Sequence, residues 1–186
     1  MTVASPTRMT VPDFLAWSET WAEGERWELA EGVPVRRARR PGRHAPVKSD
    51  LAAELARAVA AAGVEATVWP AGMTVPVGPR SAFVPDAAVQ TGPRPDPDSV
   101  TLPRPVIVAE ALAAGPVDLD VGRRLPAWFD LPSLRQLLVA DASAKVLAVH
   151  SRRGDGRIDT AILREGEARL DPPGIALSVA ALFARV

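Results

Sequence analysis

The chain has no cysteine and only two lysines, Lys48 and Lys145, among its 186 residues. Without cysteine there are no disulfides, no thiolate metal sites and no cysteine nucleophiles. The same absence fits a reducing compartment, so a cytoplasmic location is expected. Excess charge of one sign is missing too: 22 basic and 22 acidic residues leave a formal net charge of zero. No global field then steers the protein toward nucleic acid or an anionic membrane, and any nucleic-acid site has to come from a local patch. No uninterrupted apolar stretch reaches transmembrane length, and the N-terminus lacks the apolar core of a signal peptide. No membrane is expected as a partner.

What is present suits one globular domain with a sizeable core: 47% hydrophobic and 24% charged residues over a single-domain length. Residues 1–8 read as a disordered lead-in to a domain over 9–186. Thr10-Val11-Pro12-Asp13 is a helix start, with an N-cap hydroxyl followed by proline and an acid in the first turn. Phe14, Leu15, Trp17 and Trp21 recur near helical spacing, and Gly24 is the expected stop. Strands at 27–30 and 33–35 flank Glu31-Gly32, a tight hairpin in which Pro34 argues for an edge strand. A basic loop at 36–44 precedes a long amphipathic helix at 46–62, with Val47, Leu51, Leu55, Ala58, Val59 and Ala62 on one face and Gly63 as C-cap. Strands are expected at 64–69, 73–77, around Asp86, around Glu110, at 134–140, 146–150 and 157–163, with a short one at 167–170. Helices are expected at 118–131 and 179–184, the last opened by Ser178. Without internal repeats or a long linker, this order makes the class α/β or α+β.

An acidic pair stands out. Asp86 lies in the apolar run Val84-Pro85-Asp86-Ala87-Ala88-Val89, and Glu110 in Val106-Ile107-Val108-Ala109-Glu110-Ala111-Leu112. A lone carboxylate in such a run is costly to bury without a partner or a metal. Two of them on successive strands suggest a divalent-metal site. The alternatives are a turn or cap after proline for Asp86 and a buried ion pair, with Arg124 for example, for Glu110. The arginines at 36, 37, 39, 40 and 43 form a local cationic patch suited to a phosphate backbone, or else a solvated loop in an arginine-rich chain. His44, at the start of the long helix, could contact phosphate or move a proton, or simply cap the helix at the surface. Lys48 is expected to be a solvated face residue, although it could supply a catalytic cation. Trp17, Trp21, Trp27 and Trp128 read as core residues rather than stacking platforms, and His150 as structural.

The order of several runs resembles the Uma2 family of endonuclease-type proteins, which have a restriction-endonuclease-like fold of the PD-(D/E)XK type. The resemblance covers about residues 9–184. It begins with Met9-Thr10-Val11-Pro12-Asp13-Phe14-Leu15-Ala16-Trp17 and continues with Arg26-Trp27-Glu28-Leu29-Ala30-Glu31-Gly32-Val33, similar to the family's "RYELIDGEV". His44 before the long helix, Val84-Pro85-Asp86, the run from Pro105 to Leu112, Pro132-Ser133-Leu134-Arg135-Gln136-Leu137-Leu138-Val139-Ala140-Asp141 and the stretch from Pro173 to Phe183 follow in family order.

The resemblance implies a mixed central β-sheet flanked by helices and a Mg²⁺- or Mn²⁺-dependent endonuclease acting on DNA. It implies that Asp86 and Glu110 bind metal, with Glu28 as a third carboxylate or an orienter of metal-bound water. A homodimer fits, because cutting two strands often uses two sites. The departures fall on the chemistry. The family's lysine, in a D-x-x-x-K-L pattern, is replaced in Asp120-Val121-Gly122-Arg123-Arg124-Leu125 by Arg124, and the family's serine after the glutamate by Ala113. Arginine keeps its proton and cannot act as a general base, though it can stabilise phosphoryl charge, so weakened hydrolysis is expected. The competing expectation is a catalytically inactive relative that binds nucleic acid or a protein partner.

Overall fold

A computed structural model describes residues 8–21, 25–37, 45–94, 96, 98–112 and 119–186, with the backbone alone for 45 and 119–123. Thr10 opens α1 (Val11–Ser18). Its hydroxyl accepts from the Asp13 N–H at 3.3 Å, and the Asp13 carboxylate accepts from the Thr10 N–H at 3.1 Å. This reciprocal box satisfies amides that helix geometry leaves without partners, and the hydrogen bonds from Thr10 hold the Asp13 carboxyl below its ordinary range. The helix is shorter than expected. The Ser18 and Thr20 hydroxyls turn back on the Leu15 and Trp17 carbonyls at 2.6 and 2.7 Å, which competes with a further helical turn. The expected stop at Gly24 lies outside the described residues.

Strands β1 (Trp27–Ala30) and β2 (Val33–Arg36) form the expected hairpin. Glu31 and Gly32 both take positive φ, 49° and 82°, the twist that a two-residue hairpin needs. A side chain at Gly32 would also meet Arg8 Cβ at 2.9 Å. Helix α2 (Ala45–Ala62) buries Val47, Leu51, Leu55 and Ala58, while Ala62 is exposed. Then come β3 (Ala66–Pro70), β4 (Val75–Gly78), β5 (Ser81–Phe83), β6 (Ala87–Thr91) and β7 (Ile107–Leu112). Helix α3 (Leu119–Phe129) leads to β8 (Gln136–Asp141), β9 (Val146–Arg152), β10 (Ile158–Leu163), β11 (Glu167–Leu170), β12 (Ile175–Ser178) and α4 (Val179–Leu182). Strands β5 and β12 are not foreseen by the sequence pattern, being three and four residues long and so too short to show alternation.

The central sheet is six-stranded, in the order β10-β9-β8-β7-β6-β3. It is mixed: β7 and β8 run parallel through the α3 crossover, and the other pairs are antiparallel. A second sheet has the order β2-β1-β5-β4, so Pro34 does sit on an edge strand. Alternation divides the central strands between two cores. Val89, Ile107, Ala109, Leu138 and Ala140 pack with α2 and α4, whereas Ala88, Val108, Leu137 and Val139 pack with Trp128 of α3 and with Phe83. Trp17, Trp21 and Trp27 join Phe14 and Leu29 in a third cluster, with edge-to-face contacts such as Trp17 to Trp27 at 5.2 Å. Among the described residues no helix is long and apolar enough to cross a membrane.

The capping box gives a first prediction. Thr10→Ala should cost about 1 kcal/mol, read as a lower urea midpoint with an unchanged slope. An unchanged midpoint would show that α1 is held by its apolar face alone.

Candidate active site

The register of the central sheet creates the site. Ala87 stands opposite Ala109, and the ladder runs one residue beyond β6, where the Asp86 N–H donates to the Ala109 carbonyl at 3.0 Å. Asp86 is thereby set beside Glu110, on the face that α3 covers. It lies just before the strand rather than within it, following Pro85. Its Oδ2 accepts from the Ala111 N–H at 2.8 Å. Glu28 arrives from β1 in the other sheet, where its Oε1 accepts from the Val84 N–H at 2.9 Å. Exposure is 5% for Glu28, 2% for Asp86 and 4% for Glu110. Carboxylates this deep require compensation.

Three cations from three elements supply it. Arg124 of α3 holds Glu110 Oε1 at 3.3 Å through Nη1 and pairs with Glu28 Oε2 through Nη2. Its guanidinium also stacks over Phe83, 4.8 Å from the ring centroid. Lys48, in the first turns of α2, places Nζ 2.6 Å from Asp86 Oδ1. Arg37, just past β2, donates from Nη1 to the Val84 carbonyl and lies 3.4 Å from Glu28 Oε1. Its Nη2 is 4.0 Å from Asp86 Oδ1 and 3.9 Å from Glu110 Oε2. Burial pushes the Glu110 carboxyl up from 4.5 to about 7; Arg124 opposes the rise most strongly, Asp86 adds to it, Arg37 opposes it and Glu28 adds to it.

Two sequence expectations change here. Lys48 is not a solvated face lysine. It stands three and seven residues before Leu51 and Leu55, both fully buried, and this places it at the border of the apolar face. That spacing was the signal in the sequence. Arg37 does not share an exposed patch with Arg36: its side chain is 14% exposed and turned into the carboxylates. No periodic signal announced it, since Val35, on the same side of β2, is exposed. Arg36 does lie at the surface, paired with Glu25 at 3.3 Å and set over Trp27. Arg39, Arg40, Arg43 and His44 lie outside the described residues, as does Ala113. His150 sits away from the cluster and shares a hydrogen bond with the Thr160 hydroxyl at 2.8 Å; partial burial lowers its pKa.

The donor chemistry sets the terms for a metal. Among the described residues no group of three or more His, Asp or Glu side chains is arranged to hold one. Glu28, a candidate third ligand from the sequence, is engaged by Arg124 and the Val84 amide. Asp86 and Glu110 are engaged as well, by Lys48, the Ala111 amide and Arg124, but they are two hard oxygen donors side by side, one just before β6 and one on β7. That set fits Mg²⁺, which keeps several waters and needs only one or two carboxylates.

The Uma2 family model, described as "Putative restriction endonuclease", matches residues 11–182. A solved structure described as "a putative nuclease belonging to DUF820 from Anabaena variabilis ATCC 29413" superposes with a TM-score of 0.74 at 16% identity, over 95% of this chain and 98% of that one. At this identity the likeness is one of fold. No curated protein matches the chain.

Two predictions follow from the buried charges. Between pH 4.5 and about 7 the folded, metal-free chain keeps a proton on Glu110 that the unfolded chain has released. Stability in EDTA should therefore fall as pH rises through this window, and Glu110→Gln should flatten the dependence of the urea midpoint on pH. Arg124→Met leaves Glu28 and Glu110 without their shared partner and should cost about 3–5 kcal/mol. A loss below about 1 kcal/mol in denaturant titrations, the scale of an exposed pair, would mean that the bridge contributes little.

Proposed function

The chain belongs to the Uma2 family, and from that premise we propose that it is a Mg²⁺- or Mn²⁺-dependent DNA endonuclease whose ion is held by Asp86 and Glu110. The observation that carries this reading is the placement of those carboxylates side by side, Asp86 just before β6 and Glu110 on β7, with an ammonium, Lys48 Nζ, 2.6 Å from Asp86. When bound, the ion would polarise a phosphoryl oxygen and lower the pKa of a coordinated water. The remaining work falls to the chain. Asp86 keeps one oxygen oriented by the Ala111 N–H. Lys48 supplies the compact, orientable charge that Arg124 cannot, because a guanidinium keeps its proton. Arg124 fixes Glu110 and Glu28 relative to each other, so it is a positioning residue here. Its guanidinium reaches two carboxylates at once, which a single ammonium does less well. The exposed Arg36 is available to a DNA backbone, and its contribution would be independent of sequence. A cytoplasmic location and a C₂ homodimer complete the proposal.

One observation favours a second reading. Every carboxylate of the cluster is already matched by a cation of the chain itself, as a catalytically silent nuclease fold that binds nucleic acid or a protein would allow.

Cleavage of supercoiled plasmid and single-stranded DNA in Mn²⁺ or Mg²⁺ separates the two. Glu110→Ala should abolish cutting, and Lys48→Met should lower it by about 10²–10³-fold. Arg124→Lys should not exceed wild type, since it breaks the bridge without supplying a new function. Wild type that neither cuts DNA nor binds either ion would establish the silent reading.

A further inference from the structure

The described cluster sets three carboxylates, Glu28, Asp86 and Glu110, against three cations, Arg37, Lys48 and Arg124, so it holds no negative charge in excess of the chain's own cations. A divalent ion entering such a site adds two uncompensated positive charges in a poorly hydrated place. Coulomb repulsion there is far stronger than in water. Withdrawal of one of the chain's own cations halves that added charge and so favours loading.

The three are not held alike. Arg124 bridges two carboxylates, is 6% exposed and stacks over Phe83. Lys48 makes a direct 2.6 Å bond. Arg37 is held by its bond to the Val84 carbonyl, and its distances to the three carboxylates are 3.4–4.0 Å. Its buried Nη2 has no hydrogen-bond partner among the described residues, a costly state for a charged donor. Yet that nitrogen is within 4.0 Å of one oxygen of Asp86 and 3.9 Å of one of Glu110, the two carboxylates assigned to the ion. Arg37 also belongs to the end of an edge strand rather than to a packed helix.

Resting on the metal-site reading above, we propose that Arg37 is an internal stand-in for the divalent ion. It closes the metal-free site as an autoinhibitory counter-charge and swings out when the ion binds. Metal affinity is thus set by a competition within the chain, and any ligand that captures the Arg37 guanidinium outside the site, such as a DNA phosphate, strengthens metal binding. Cation loading and DNA binding become reciprocally coupled.

Calorimetry with MnCl₂ tests this on wild type, Arg37→Met and Lys48→Met. Met keeps an apolar stem and removes the charge. Arg37→Met should bind Mn²⁺ on the order of tenfold tighter than wild type, and its melting temperature should rise more on adding Mn²⁺. In the wild-type protein, an arginine-selective dicarbonyl reagent should modify Arg37 faster in Mn²⁺ than in EDTA, read by mass spectrometry. This second measurement needs no folded variant. Equal Mn²⁺ affinity in wild type and Arg37→Met, or Arg37 equally protected with and without Mn²⁺, would overturn the exchange while leaving the metal site standing. Tightening in Lys48→Met alone would assign the withdrawal to Lys48 and overturn it for Arg37. Absence of Mn²⁺ binding in all three proteins would remove the metal site itself, and the exchange with it.

Discussion

Buried carboxylates standing side by side persist only if their charge is answered from within the fold, and this requirement joins elements from both faces of the central sheet and from the second sheet. Helix α2 packs on one face of the central sheet and α3 on the other, while β1 belongs to a second sheet with its own cluster. Apolar contact sets how close such layers lie but fixes their relative placement loosely, because it has no direction. The ion pairs are directional. Lys48 ties the start of α2 to the mouth of β6, and Arg124 ties α3 to β7 and β1 together. Well-packed apolar replacements for a whole buried charge cluster are often neutral or stabilising, so what these pairs add is direction more than net stability.

The division between the two cationic types is informative. A planar guanidinium is suited to reach two carboxylates at once, and it occupies the place from which two must be reached. The ammonium meets one carboxylate from the opposite side of the sheet. Seen in the sequence, an arginine at the family's lysine position looks like damage to the chemistry. In the fold, a guanidinium and an ammonium reach the same cluster from helices on opposite faces of the sheet.

Much of the scaffold was legible in the sequence because it depends on local rules. The Thr10 cap, the Glu31-Gly32 turn, the edge position of Pro34 and the apolar face of α2 each express propensity or periodicity within a few residues. The carboxylate pair was legible too, since a charge in an apolar run is visible in one dimension. Of its partners only Arg124 was named beforehand, as an ion-pair alternative for Glu110, and that pair is present; its reach to Glu28 and the arrival of Arg37 were not foreseen. Arg37 and Arg124 meet Glu28 across separations of 9 and 96 residues, and nothing in a strand's alternation says which cation will arrive. Short strands such as β5 escaped for a related reason: it becomes a strand because β1 and β4 lie on either side of it.

The parallel pairing of β7 with β8 through α3 fixes an order of events during synthesis. Glu28 and Asp86 leave the ribosome well before Arg124, and β7 gains its parallel neighbour only after β8 has followed. Non-local pairings of this kind form late, because the entropy of closing the intervening loops must be met before any contact rewards it. A nascent or partly unfolded chain therefore displays isolated acids and isolated arginines but no assembled centre. The cluster therefore exists only once the topology is complete, and a destabilised copy loses the whole centre at once rather than one residue at a time.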